Sequence, residues 1–147
     1  MSPIGSRHAA SVSQLNGLLV TFFGQKATIN VQNPFVLGGR SEPQPDLTVV
    51  RSRADRYKTA LAMPPDVMLL IEVSDTTLNY DRNTKLPLYA GAGIPEVWIV
   101  NIGGETIEIY TQPTGGAYAP PQIVKRGESF TSPTIPGPAL TADDILL

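Results

Sequence analysis

Asp46, Glu72 and Lys85 are the residues of this chain whose types and spacing could do chemistry together. Asp46 follows a proline at the start of a β-rich run, PDLTVVRS (45–52), and Glu72 closes the apolar run VMLLIEV (67–73). Lys85 stands 13 positions beyond Glu72, in a segment with helical spacing. If the two runs are neighbouring strands, both carboxylates reach the same end of a sheet. Two carboxylates and a backbone carbonyl, that of Val73, make an all-oxygen site suited to Mg²⁺ or Mn²⁺, ions that keep several waters and share them with a phosphate substrate. A lysine beside them can polarise or deprotonate an attacking water and offset charge on the scissile phosphate. Metal-assisted phosphodiester hydrolysis is the chemistry expected of such a set.

These residues need a scaffold that holds charge at the edge of a core. VMLLIEV is continuously apolar up to Glu72, the pattern of a central strand covered on both faces. A carboxylate in that setting calls for a partner, because an unpaired charge stripped of water costs several kcal/mol or shifts its pKa. The polar turn SDTTLN then leads into the helix YDRNTKLPLYAGAG, which places Asp81, Lys85 and Tyr89 four apart on one face. Pro87 weakens that helix locally by removing a donor, and Gly91 or Gly93 ends it. EVWIVN (96–101) is the next apolar strand, so strand, helix and strand form a crossover unit. Earlier in the chain, Ala9, Val12, Leu15, Leu18, Leu19 and Phe22 mark an amphipathic helix ending near Gly24, and ATINVQ (27–32) alternates as a strand. The first helix carries no acidic residue, the first in the chain being Glu42. After EVWIVN, Gly103 and Gly104 are expected to supply positive backbone angles for a hairpin into TIEIYT (106–111). The Pro- and Gly-rich stretch beyond reads as edge strands and loops, and LTADDILL as a helical turn docking Ile145 and Leu146.

Composition narrows the field. At 147 residues the chain fits one domain over 1–147, and 41% hydrophobic with 16% charged residues is the composition of a globular protein. No run approaches the roughly 20 apolar residues of a membrane span, and the N-terminus lacks the cationic-then-apolar pattern of a secretory signal, so a cytoplasmic protein without membrane partners is expected. Zero cysteines exclude disulfides and thiolate sites, and a single histidine excludes a multi-histidine metal site, leaving oxygen ligands. A net charge of −2 offers no global attraction for nucleic acid. Any such contact must rest on a local patch. Arg51, Arg53, Arg56 and Lys58, close to Asp46 in sequence, are the candidates for nucleic-acid backbone contacts.

The chain resembles a large bacterial family of restriction-endonuclease-like proteins within the PD-(D/E)xK nuclease superfamily. The resemblance is carried by SRHA near the start, NPFVLGGRSEPQPDLTVV, IEVSDTTLNYDRNTKLPLYAGAGIPEVWIVN and IEIYTQP. It implies an α/β fold with a restriction-endonuclease-like core, a mixed central β-sheet flanked by helices. It also implies a Mg²⁺- or Mn²⁺-dependent endonuclease acting on DNA. Pro45 and Asp46 match the PD element and Glu72 the second acidic position. Ser74 occupies the usual lysine position two residues after Glu72, and Lys85 from the following helix takes the lysine's role. A long flexible stem makes that relocation acceptable. Asp81 matches the family pattern as a partner of Lys85 or as an outer acceptor for a metal-bound water. His8, on a helix without carboxylates, joins Asp81 and Ser74 as a secondary candidate. Relatives carry a further acidic segment before the SRHA-like helix, so the chain is expected to be short of an N-terminal segment and to expose an edge favouring a homodimer.

Each residue also has a plainer reading. Asp46 after proline is a favourable turn opener. Glu72 could pair structurally with Arg82 or Lys85, and Asp81 with Lys85 could be an ordinary i,i+4 surface pair. Trp98 and Tyr89 read as core residues. The rival functional reading is a catalytically inactive nuclease-fold protein that serves as a nucleic-acid-binding or interaction module.

Overall fold

The computed structural model describes residues 5–37 and 43–147, so part of the turn segment expected after the first strand lies outside the described residues. Helix α1 (Ser6–Phe23) and a 3-10 turn lead into β1 (Ala27–Val31), followed by β2 (Leu47–Arg51) and β3 (Val67–Ser74). A continuous helical segment follows, built from α2 (Leu78–Tyr80), a π turn (Asp81–Lys85) and α3 (Leu86–Gly91). Then come β4 (Glu96–Asn101), β5 (Thr106–Thr111), β6 (Gln122–Lys125), β7 (Ser129–Phe130), β8 (Leu140–Thr141) and α4 (Ala142–Ile145). Strands β1 to β6 form one sheet in sequential order. All neighbours are antiparallel except β3 and β4, which run parallel, with Glu72 level with Ile99. A parallel pair needs a crossover, and the helical segment provides it. The mixed α/β architecture inferred from the sequence is therefore the one adopted.

Alternation along β3 and β4 divides the core between two layers. Leu69, Ile71, Val73, Trp98 and Val100 pack with Val12, Leu15, Leu19 and Phe23 of α1 and with Ile145 of α4. Leu70, Val97 and Ile99 pack on the other face with Leu86 and Tyr89 of α3 and with Phe35. Burial along α1 begins only at Ser11, so Ala9 is exposed rather than part of the apolar stripe, and Phe23 closes that stripe. Glu96 is buried, and no cation among the described residues pairs with it. It accepts from Trp98 Nε1 at 2.6 Å, Ser132 Oγ at 2.7 Å, Thr134 Oγ1 at 2.6 Å and the Thr134 N–H at 3.2 Å, which ties the loop before β8 to β4.

Two local features have clear causes. The Leu86 N–H bonds to the carbonyl of Asp81, five residues back. Pro87 has no N–H, and in a regular helix its ring would press on the carbonyl four residues back; the wider π turn just before it absorbs that conflict. The helix ends at Gly93, whose φ of 76° lets its N–H reach Ala90 O while the Ile94 N–H reaches Tyr89 O, a Schellman ending. The β4–β5 turn corrects one expectation. Glu105, with φ of 54°, takes the left-handed conformation, and Gly103 and Gly104 do not. Gly104 is closely approached by a side chain: its N–H donates to Asn101 Oδ1 at 3.0 Å, and a Cβ there would lie 2.5 Å from Asn101 Nδ2, so the Asn101 side chain would have to shift.

No helix among the described residues is long and apolar enough to cross a membrane. The edges of the six-stranded sheet are β1 and β6. Since Leu15 is fully enclosed where α1 meets the sheet, Leu15→Ala should lower unfolding stability by roughly 2–5 kcal/mol in urea titration. A loss below about 1 kcal/mol would mean that α1 is not docked as described.

Candidate active site

Sheet register brings the two principal carboxylates together. Leu47 of β2 faces Ile71 of β3, so Asp46, one residue before the strand, stands beside Glu72. The backbone of Asp46 turns toward β1, its carbonyl accepting the Gln32 N–H at 3.0 Å. Its side chain takes over on the other side, Oδ2 accepting the Val73 N–H at 2.8 Å. Nε2 of His8 lies 3.1 Å from Oδ1. The Nδ1 atom of His8 is buried without a hydrogen-bond partner. Asp46 is thus hydrogen-bonded from β3 on one side and flanked by His8 of α1 on the other.

Glu72 points away from α1 toward the helical segment, as Leu70 does two residues earlier. It is 3% exposed. Lys85 Nζ donates to Oε2 at 3.1 Å, and the Tyr89 hydroxyl donates to Oε1 at 2.8 Å. One turn nearer the N-terminus of the helix, buried Asp81 receives Ser74 Oγ at 2.5 Å and Thr77 Oγ1 at 2.9 Å on Oδ2. Its Oδ1 lies 3.5 Å from Lys85 Nζ and has no hydrogen bond. The four-residue spacing of Asp81, Lys85 and Tyr89 therefore survives the π turn, and all three side chains converge on β3.

Asp46, Glu72, Val73, His8 and Lys85 line one open pocket of about 620 Å³. Ser74 and Asp81 stand behind it. Tyr89 was legible in the sequence only as a core residue. It is one, with 1% exposure, and its hydroxyl in addition anchors Glu72. The signal for this was its place four residues after Lys85.

The basic cluster lies elsewhere. Arg51 to Lys58 leave β2 at the end opposite Asp46, and five strand residues at about 3.4 Å each put about 17 Å between the two ends. Nearness in sequence did not translate into nearness in space because the intervening chain is fully extended. Arg53 is engaged by Asp55 through bonds of 2.7 and 2.8 Å, and Arg51 Nε donates to Pro65 O at 3.3 Å. Arg56 and Lys58 remain exposed beside them.

Burial is the largest influence on Glu72 and pushes its pKa up to about 7; the charge of Lys85 and the Tyr89 bond draw it down, while Asp46 and Asp81 push it further up. For Lys85, burial acts downward, but Glu72, Asp81 and Asp46 outweigh it and hold the amine above the usual lysine range, so it stays an ammonium. Burial, reinforced by Glu72, raises Tyr89 and keeps its hydroxyl a donor.

The donor set suits a hard divalent ion. Asp46 and Glu72 offer only oxygens and share the pocket with Val73, which fits an ion that draws its other ligands from water and substrate. Among the described residues no group of three or more His, Asp or Glu is placed to hold a metal. Such a site would rest on two carboxylates and main chain.

A mixed sheet with helices on both faces and acidic residues at the ends of adjacent strands defines a nuclease-like α/β protein. The chain belongs to the Uma2 family, described as "Putative restriction endonuclease", whose sequence model matches residues 1–143. Its fold is similar to that of a crystal structure from Anabaena variabilis described as "a putative nuclease belonging to DUF820", at a TM-score of 0.70 and 15% identity, covering 99% of this chain and 82% of the other. Comparison with curated proteins finds no match.

The raised pKa of Glu72 has a thermodynamic consequence. The folded state holds this proton more tightly than the unfolded chain, so the associated stability is complete below about pH 4.5 and is lost as pH rises through about 7. At about 1.4 kcal/mol per pKa unit, Glu72→Gln should gain roughly 3 kcal/mol relative to the parent between pH 4.5 and pH 8. Urea titrations at both ends of that range check this. A difference that does not change with pH would contradict the buried, proton-binding Glu72.

Proposed function

We propose that this chain is a divalent-metal-dependent endonuclease that hydrolyses phosphodiester bonds of DNA, acting as a single cytoplasmic domain. What supports the reading, beyond the family, is that Asp46 and Glu72 from adjacent strands open into one pocket with the Lys85 ammonium on Glu72. Asp46, Glu72 and the Val73 carbonyl are the groups that would hold Mg²⁺ or Mn²⁺. When bound, such an ion polarises the scissile phosphate and acidifies a coordinated water.

The other steps belong to the chain's own side chains. The Val73 N–H and His8 fix the plane of Asp46. Tyr89 fixes Glu72 from the buried side, leaving Oε2 toward the pocket where Lys85 now sits. Lys85, held as an ammonium, donates to a non-bridging phosphate oxygen and offsets the charge that grows there as the water oxygen bonds to phosphorus, the water's proton passes to solvent and the bond to the leaving oxygen breaks. Asp81, Ser74 and Thr77 brace Lys85 from behind. The exposed Arg56 and Lys58 could meet backbone phosphates only some distance along a duplex from the cut. A homodimer formed through an edge of the sheet belongs to the same reading.

The test uses the purified chain with supercoiled plasmid and Mg²⁺ or Mn²⁺. Nicking is expected, and Asp46→Asn, Glu72→Gln and Lys85→Met should each slow it by about 100-fold or more. Absence of cutting with either ion, or variants that cut like the parent, would overturn the proposal. Retained DNA binding without cutting would support a non-catalytic nucleic-acid-binding module instead.

A further inference from the structure

Lys85 has two carboxylates within ion-pair distance and hydrogen-bonds only one of them. Its Nζ donates to Glu72 Oε2 at 3.1 Å and lies 3.5 Å from Asp81 Oδ1, which is buried and receives no hydrogen bond. Asp81 cannot turn away, because Ser74 Oγ and Thr77 Oγ1 both donate to its other oxygen. A carboxylate clamped on one side with its second oxygen lacking a hydrogen bond is an unfavourable arrangement, since a buried acceptor has given up water without gaining a donor. The unmet oxygen faces the only ammonium among the described residues that lines this pocket. The lysine side chain is 27% exposed at the pocket wall and has the freedom to move by a fraction of an ångström toward either acid.

From this we infer that Asp81 is a second seat for Lys85: the ammonium rests on Glu72 while that carboxylate is free, and passes to Asp81 when Glu72 is taken up as a ligand. Asp81 is thereby a positioning residue. It withdraws Lys85 from Glu72 without letting the lysine leave the pocket, so the amine remains beside the phosphate. The inference rests on the metal-dependent reading above, and it concerns which acid holds the lysine, not whether the site is catalytic.

The test is Mn²⁺ binding measured calorimetrically on the full chain and on Lys85→Met, Asp81→Asn and the double variant, with Asp46→Asn as the control for site binding. Lys85→Met should bind Mn²⁺ about tenfold more tightly, because no cation competes for Glu72, and Asp81→Asn about tenfold more weakly, because Lys85 then has nowhere else to go. In the Lys85→Met background, Asp81→Asn should have almost no effect. Simple loss of a nearby negative charge would weaken binding equally in both backgrounds, and that additivity would overturn the second seat while leaving the metal site intact. No Mn²⁺ binding sensitive to Asp46→Asn would overturn both readings. If Asp81→Asn does not fold, Asp81→Ser takes its place in the same four-way comparison, and equal weakening in both backgrounds again overturns the second seat.

Discussion

The structure depends on keeping a carboxylate inside a wall of aliphatic side chains. Glu72 sits on the central strand pair, where β3 is covered by α1 on one face and by the helical segment on the other. Burial of an ionised carboxylate is tolerable only with charge and hydrogen bonds supplied nearby. Lys85 and Tyr89 supply them, and both come from the crossover that the parallel β3–β4 pair requires. The connection that closes the fold is also the one that furnishes the cation.

Glu96 shows that the same chain has another way of burying a carboxylate. It sits on the α1 side of β4 and is satisfied by an indole, two hydroxyls and a main-chain N–H, with no cation among the described residues paired to it. Neutral donors make a permanent clasp. Glu72, by contrast, relies on one mobile ammonium and one fixed hydroxyl, and it opens toward solvent beside Asp46. A ligand can replace a lysine on a carboxylate far more readily than it can replace three short side-chain bonds and a main-chain N–H. That difference separates a structural acid from one available for chemistry.

The helical segment carries three demands at once. Asp81, Lys85 and Tyr89 must face β3, Leu86 must enter the core, and Pro87 must be accommodated one residue later. The π turn reconciles them by widening the helix just before the proline while leaving these three side chains on one face.

Much was legible in the sequence by itself. The apolar run ending at Glu72, the helical spacing of Asp81, Lys85 and Tyr89, and the strand after Pro95 were readable because periodicity reports local geometry and burial directly. The family motifs added a candidate role for Asp46 without its position in space. Only the tertiary structure decided that β2 lies antiparallel to β3 in a register placing Asp46 beside Glu72, and that His8 approaches from the opposite layer. It alone moved the basic cluster to the far end of β2, since an extended strand separates neighbours in sequence as effectively as it joins distant ones. The turn between β4 and β5 makes the same point on a smaller scale. A glycine pair suggests positive φ, yet what marks Gly104 is the Asn101 side chain folded over it, a contact between side chain and backbone that no composition rule records.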